Sequence, residues 1–112
     1  MYGTLKRGLR NYFRISDQEF LGEAITEPRY RLVDLGPHPG LIRDDANGLA
    51  IKGELFAVDD RCLQALDAFE DVPAAFTRDP VAVAGRSEVI YAYFMNTPVP
   101  LNAATGDRWP LG

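Results

Sequence analysis

The chain has 112 residues, of which 46% are hydrophobic and 25% charged, and a net charge of −4 at pH 7. These totals describe a single domain over residues 1–112, with room for one core and one pocket. They exclude a nucleic-acid footprint, which needs a clustered basic face. No run approaches the roughly 18 apolar residues of a membrane span, and no signal-peptide pattern appears. The expectation is a cytoplasmic monomer that binds neither nucleic acid nor membrane.

The chain opens on "MYGTLKRGLRN", a polar loop bracketed by Gly3 and Gly8. The G-x-x-x-x-G spacing resembles a phosphate-binding loop, but that motif also requires Lys and then Ser or Thr between a strand and a helix. Leu9 and Arg10 occupy those places, so nucleotide hydrolysis is excluded. A concave nest of backbone N–H groups for an anion or carboxylate remains open. Lys6, Arg7 and Arg10 form the only basic cluster, and three charges read as a solvated loop.

The stretch "RNYFRISDQEFLGEA" is ambiguous between a short helix at Tyr12–Ile15 and a strand starting at Phe20. Glu27 to Gly36 reads as a strand, with Tyr30, Leu32 and Asp34 on one face and Arg31, Val33 and Leu35 on the other. "GPHPG" then enforces a loop around His38, the only histidine. Leu49 to Val58 is the clearest strand, and Gly53 in its middle predicts a bulge or the close approach of another backbone.

A helix follows, with Asp59 or Asp60 as N-cap and an apolar face of Cys62, Leu63, Leu66 and Phe69. Pro73 ends it within a turn. "FTRDPVAVAG" reads as a strand interrupted by Pro80, and Ser87 to Asn96 as an aromatic, β-branched strand. The proline-rich tail is irregular, with Trp109 packing back onto the body. The class is α+β: mostly antiparallel strands around one principal helix.

Cys62 stands alone, so the chain has no disulfide framework and no thiolate metal cluster. It reads as a small buried hydrophobe, since a nucleophile would need His38 beside it. The scattered carboxylates offer no metal-ligand spacing, and no cofactor is implied. Glu70 follows the last apolar residue of the helix, with Asp67 and Asp71 nearby. The negative helix end, the two aspartates and burial beside Phe69 would all raise its pKa toward that of a general base. A solvated acidic helix end is the commoner arrangement for such a stretch.

"YGTLKRG", "LGPHPGL" and "GELFAVDDRCLQALDAFEDVPAAFTRD", in that order, resemble the γ-glutamylcyclotransferase-like family. The nearer branch is that of γ-glutamylamine cyclotransferases and AIG2-like small bacterial members. The resemblance implies a small mixed β-barrel flanked by helices, and release of a γ-linked glutamyl group as 5-oxoproline. It also implies a loop of Tyr2, Gly3, Thr4 and Leu5 that presents backbone N–H groups to the glutamyl moiety, and Glu70 as acid/base. A strand of several apolar residues is implied ahead of Tyr2; this sequence holds only its end, Met1, so that strand reads as truncated. Phe76 stands where relatives often have Tyr, and Asn11 matches a loop Asn. A non-catalytic binding module on the same scaffold is the competing reading, and a structural subunit would expose a large apolar patch.

Overall fold

The computed structural model describes residues 1–111; Gly112, last residue of the expected domain, lies outside the described residues. A 3₁₀ turn at Tyr12–Arg14 leads into β1 (Glu19–Ile25), β2 (Tyr30–Asp34), β3 (Pro39–Arg43) and β4 (Lys52–Ala57). Helix α1 (Asp60–Phe69), β5 (Phe76–Val81), β6 (Ile90–Met95) and the short β7 (Thr105–Gly106) follow. Every ladder is antiparallel: β1 with β4, β3–β2–β7, and β5 with β6. These ladders do not close into the ring of strands that a barrel requires. A single bridge between Thr26 and Val83 links the end of β1 to the segment after β5. Among the described residues, no helix is long and apolar enough to cross a membrane.

Two clusters form the core. One joins Leu5 of the opening loop to Ile15, Leu66, Phe76 and Tyr93, and the other joins Tyr30, Leu32, Leu41, Ile51 and Phe94. Successive strand residues point to opposite faces, so Tyr93 and Phe94 place β6 between the two clusters. The same burial on both sides holds for β2, where Leu32 and Val33 are both fully buried. Apolar residues of both faces read for this strand are thus covered, and β2 is the shorter Tyr30–Asp34 within the expected Glu27–Gly36.

Several expectations are corrected. The "GPHPG" loop gives way at Pro39, which begins β3, a position where the missing N–H costs no ladder bond. Pro80 does not interrupt β5, because β5 pairs only with β6 and its other edge is free. The ambiguous stretch divides into the 3₁₀ turn and β1, whose largely exposed residues carry no buried alternation. The bulge lies in β1, between Phe20 and Gly22, and not at Gly53. What Gly53 accommodates is a close approach: a Cβ there would sit 2.8 Å from the Met1 carbonyl oxygen.

Met1 lies against the free edge of β4. Its nitrogen donates to the Glu54 carbonyl at 2.5 Å, and the Glu54 N–H donates to the Met1 carbonyl at 2.8 Å. This mutual exchange is the antiparallel strand pattern, and it ties down the start of the glycine loop.

Helix α1 begins at its N-cap Asp59, whose Oδ1 accepts the Cys62 N–H at 2.7 Å. At the other end Glu70 is the C-cap, the Asp71 N–H bonds the Ala68 carbonyl, and the Val72 N–H bonds the Asp67 carbonyl. That pair of bonds is a Schellman motif. Asp71 holds its left-handed position with φ of 52°, where glycine is the favoured residue. Asp71→Gly should therefore stabilise the fold by about 1 kcal/mol, raising the thermal midpoint by roughly 4 °C. A lowered midpoint would show that the Asp71 side chain holds the turn.

Candidate active site

The loop from Tyr2 to Leu5 is fixed by its own turn and by its surroundings. The Lys6 N–H bonds the Gly3 carbonyl at 3.0 Å and the Asn11 N–H bonds the Thr4 carbonyl at 3.0 Å. The Asn11 side-chain amide donates to Thr4 Oγ1 at 2.8 Å, and the Tyr2 hydroxyl donates to the Tyr93 carbonyl at 2.6 Å. Thr4 and Leu5 are buried. Yet among the described residues no acceptor takes the N–H of Gly3, Thr4 or Leu5. Backbone donors left unpaired in buried residues are rare, and these belong to a cavity wall.

The three basic residues of the loop serve as tethers. Lys6 Nζ donates to the Trp109 carbonyl at 2.6 Å, and Arg10 donates to the Pro37 carbonyl. Arg7 bonds the buried Glu54 carboxylate through its backbone N–H at 2.8 Å and its Nε at 3.1 Å. Nothing in the strand pattern singles out Glu54, and its role was not legible in the sequence.

Glu70 stands across the same cavity. The helix cap fixes its backbone, and no hydrogen bond among the described residues engages its carboxyl. Burial raises its pKa from 4.5 to about 7. The neighbouring aspartates, expected to contribute, do not. Asp71 is exposed, and Asp67 turns toward Arg78, which donates from Nε at 3.0 Å and Nη2 at 3.2 Å. The Tyr93 hydroxyl adds a third bond to Asp67 at 2.6 Å. Burial alone would raise Asp67, but these bonds outweigh it and hold its carboxyl below the usual range. Burial, reinforced by the Glu70 charge, pushes the Tyr2 phenol far above its ordinary value, so it remains a neutral donor.

The cavity has a volume of about 860 Å³ and is lined by Tyr2, Gly3, Thr4, Leu5 and Glu70 together. All five residues singled out in the sequence thus share one wall system. Asn11, His38 and Phe76 line it too, with the His38 ring 6.1 Å from that of Phe76. Cys62 does not line it. It is half-buried rather than a core residue, its Sγ lies 3.8 Å from the Arg14 carbonyl, and burial together with Asp59 and Asp17 raises its thiol pKa.

A small antiparallel α+β domain whose cavity joins a glycine loop to one carboxyl at a helix end defines the class. The chain belongs to the family described as "Gamma-glutamyl cyclotransferase, AIG2-like", whose model matches residues 1–111, and so to a family of cyclotransferase enzymes. A putative γ-glutamylcyclotransferase of Vibrio cholerae is 37% identical over 83% of this chain and 78% of its own. The human γ-glutamylaminecyclotransferase is 38% identical over 74% of this chain, and the zebrafish γ-glutamylaminecyclotransferase B 34% over 97%. The matches span 59% and 65% of those two relatives. The crystal structure of a mouse AIG2-like protein superposes with a TM-score of 0.86 at 30% identity, covering 97% of this chain and 84% of that one. A Kluyveromyces lactis allophanate hydrolase shares the fold alone, with a TM-score of 0.80 at 19% identity over 96% of this chain and 19% of its own.

The raised Glu70 pKa has a consequence for stability. The folded state keeps the proton to about pH 7, whereas the ordinary value is 4.5. The folded form binds protons more tightly than the unfolded chain, so stability is full below 4.5 and falls as pH rises from there to about 7. Glu70→Gln removes that loss. Its thermal midpoint should nearly match the parent at pH 5 and exceed it at pH 8; an equal difference at both would refute the shifted titration.

Truncating Glu54 to Ala should cost about 1–3 kcal/mol, because it strips the buried partner from Arg7. Urea unfolding measures this, and an unchanged midpoint would show that the ion pair does not anchor the loop.

Proposed function

We propose that the protein is a γ-glutamyl cyclotransferase that releases 5-oxoproline from a γ-glutamyl amine or peptide, with Glu70 as general acid/base. One observation carries this reading. A carboxyl with a pKa of about 7, without a partner among the described residues, shares its cavity with N–H groups of Gly3, Thr4 and Leu5 that no described residue accepts. The substrate brings its own nucleophile, an α-amino group placed to close a five-membered ring onto the γ-carbonyl. No enzyme Ser or Cys is needed.

Glu70 takes a proton from the α-ammonium, and the freed amine attacks the γ-carbonyl carbon. The new ring C–N bond forms as the carbonyl oxygen takes up negative charge. Loop N–H groups stabilise that oxyanion or hold the substrate α-carboxylate. Collapse breaks the original amide C–N bond as Glu70 returns its proton to the departing nitrogen. The second proton, shed by the ring nitrogen after attack, passes by way of Glu70 to the freed amine, which leaves as an ammonium. Atoms and charge balance without water or cofactor. Holding the folded-back conformer supplies the proximity term, and Tyr2, Gly3, Thr4 and Leu5 are the residues assigned to it.

The test is mass-spectrometric detection of 5-oxoproline after incubation with γ-glutamyl amino acids, γ-glutamyl-ε-lysine and glutathione, with Glu70→Gln in parallel. Wild type should form product from at least one, and the variant should lose roughly 10²–10⁴-fold in rate. Because the base must be ionised, kcat/KM should fall with decreasing pH below about 7. Absence of product from every substrate would overturn the reading in favour of a non-catalytic binding module.

A further inference from the structure

The cavity is larger than a glutamyl group requires: its roughly 860 Å³ lies toward the upper end of small-molecule sites. Beyond the loop and Glu70, its lining takes in Leu21 of β1 and Val89 and Tyr91 where β6 begins. Nine large hydrophobic residues are substantially exposed, and Leu21, Phe69, Val89 and Tyr91 among them line this cavity. Arg14 covers Phe69, its guanidinium carbon 3.9 Å from the ring centroid. Leu21, Val89 and Tyr91, at 44%, 68% and 54% exposure, form an apolar rim, with the Arg78 guanidinium carbon 5.6 Å from the Tyr91 ring centroid.

The backbone around Leu21 is irregular where it meets that rim. The β1 register slips between Phe20 and Gly22, leaving Leu21 as the extra residue without a partner on β4. Gly22 holds φ of 123°, closed to most side chains. Bulges of this kind re-aim a side chain, often beside a functional site. The charges of the outer wall are internally paired, Arg86 with Glu88 at 3.1 Å and Arg78 with Asp67. Of the other charged residues that line the cavity, Arg10 has the Pro37 carbonyl as its partner and Asp71 is exposed, so what the rim itself adds is apolar contact.

We infer that Leu21, Val89 and Tyr91 form the subsite for the leaving amine, and that this amine carries an apolar body, an aromatic ring or an alkyl chain. The inference rests on the cyclotransferase reading above and names its substrate class. The glutamyl end reacts between the loop and Glu70, and the departing group lies along the rim.

The test measures kcat/KM by 5-oxoproline release from γ-glutamyl methylamide, n-butylamide and benzylamide, and from γ-glutamylglycine. The butyl and benzyl amides should exceed the methylamide by about tenfold or more, and γ-glutamylglycine, which brings no apolar body, should fall below the benzylamide. Leu21→Ser and Val89→Ser should each shrink the benzyl-to-methyl ratio toward one. A ratio within one variant cancels any general loss of folded enzyme, and the highly exposed Val89 carries the test if Leu21→Ser does not fold. A flat series in wild type, or a ratio unmoved in the folded variants, overturns the subsite while leaving cyclotransfer intact. No product from any amide overturns cyclotransfer itself, and the subsite with it.

Discussion

The loop depends on one buried residue of β4. Glu54 exchanges two backbone hydrogen bonds with Met1, and its carboxylate takes two bonds from Arg7. These contacts bracket Tyr2 to Leu5 and add a strand at both ends to the bonds that the loop's carbonyls and side chains make along its length. Arg7 is fixed in turn by the Phe20 ring, 3.7 Å from its guanidinium carbon. A carboxylate this buried is tolerated only when charge-assisted bonds satisfy it. Because that anchoring uses carbonyls and side chains, the N–H groups of Gly3, Thr4 and Leu5 have no acceptor among the described residues, and they are the donors that the proposed chemistry draws on.

Charge at the far wall is segregated by the same logic. Asp67 and Glu70 lie one turn apart on α1, close enough to repel if both faced the cavity. Arg78 and Tyr93 take Asp67 out of contention. Glu70 has no partner among the described residues and feels chiefly the loss of water. Two acids of similar sequence context thus acquire opposite shifts from what each one touches. Tyr93 links this pair to the loop, since its carbonyl receives the Tyr2 hydroxyl while its own hydroxyl serves Asp67.

The helix, its N-cap and its stop before Pro73 were legible because capping and periodicity are local. So was the close approach at Gly53, although the sequence could not say that Met1 makes it. What failed depended on neighbours. β1 was obscured because neither face is deeply buried, and Pro39 and Pro80 fell at strand positions that tolerate proline. At the site, Tyr2 to Leu5 and Glu70 were found through the family resemblance, and the residues alone left Glu70 ambiguous. Glu54, Arg78 and Tyr93 carry no local signature, and their roles emerge only when distant segments meet.

The segment from Asp67 to Asp71 breaks local preferences in three ways at once. Acidic residues crowd the negative end of the helix, with no basic residue in the last turn to offset them. A non-glycine residue occupies the left-handed cap position. A half-buried carboxyl has no partner among the described residues. Each choice costs stability, and a cheaper one was chemically available: Lys or Arg in the last turn, Gly at position 71, Gln at position 70. Such violations are expected to gather where function, not folding, selects the residue. The Schellman bonds make this concentration tolerable, because backbone N–H groups of Asp71 and Val72 satisfy the helix carbonyls. No side chain is needed to close the helix, and Glu70 can point its carboxyl into the cavity without unravelling the element that holds it.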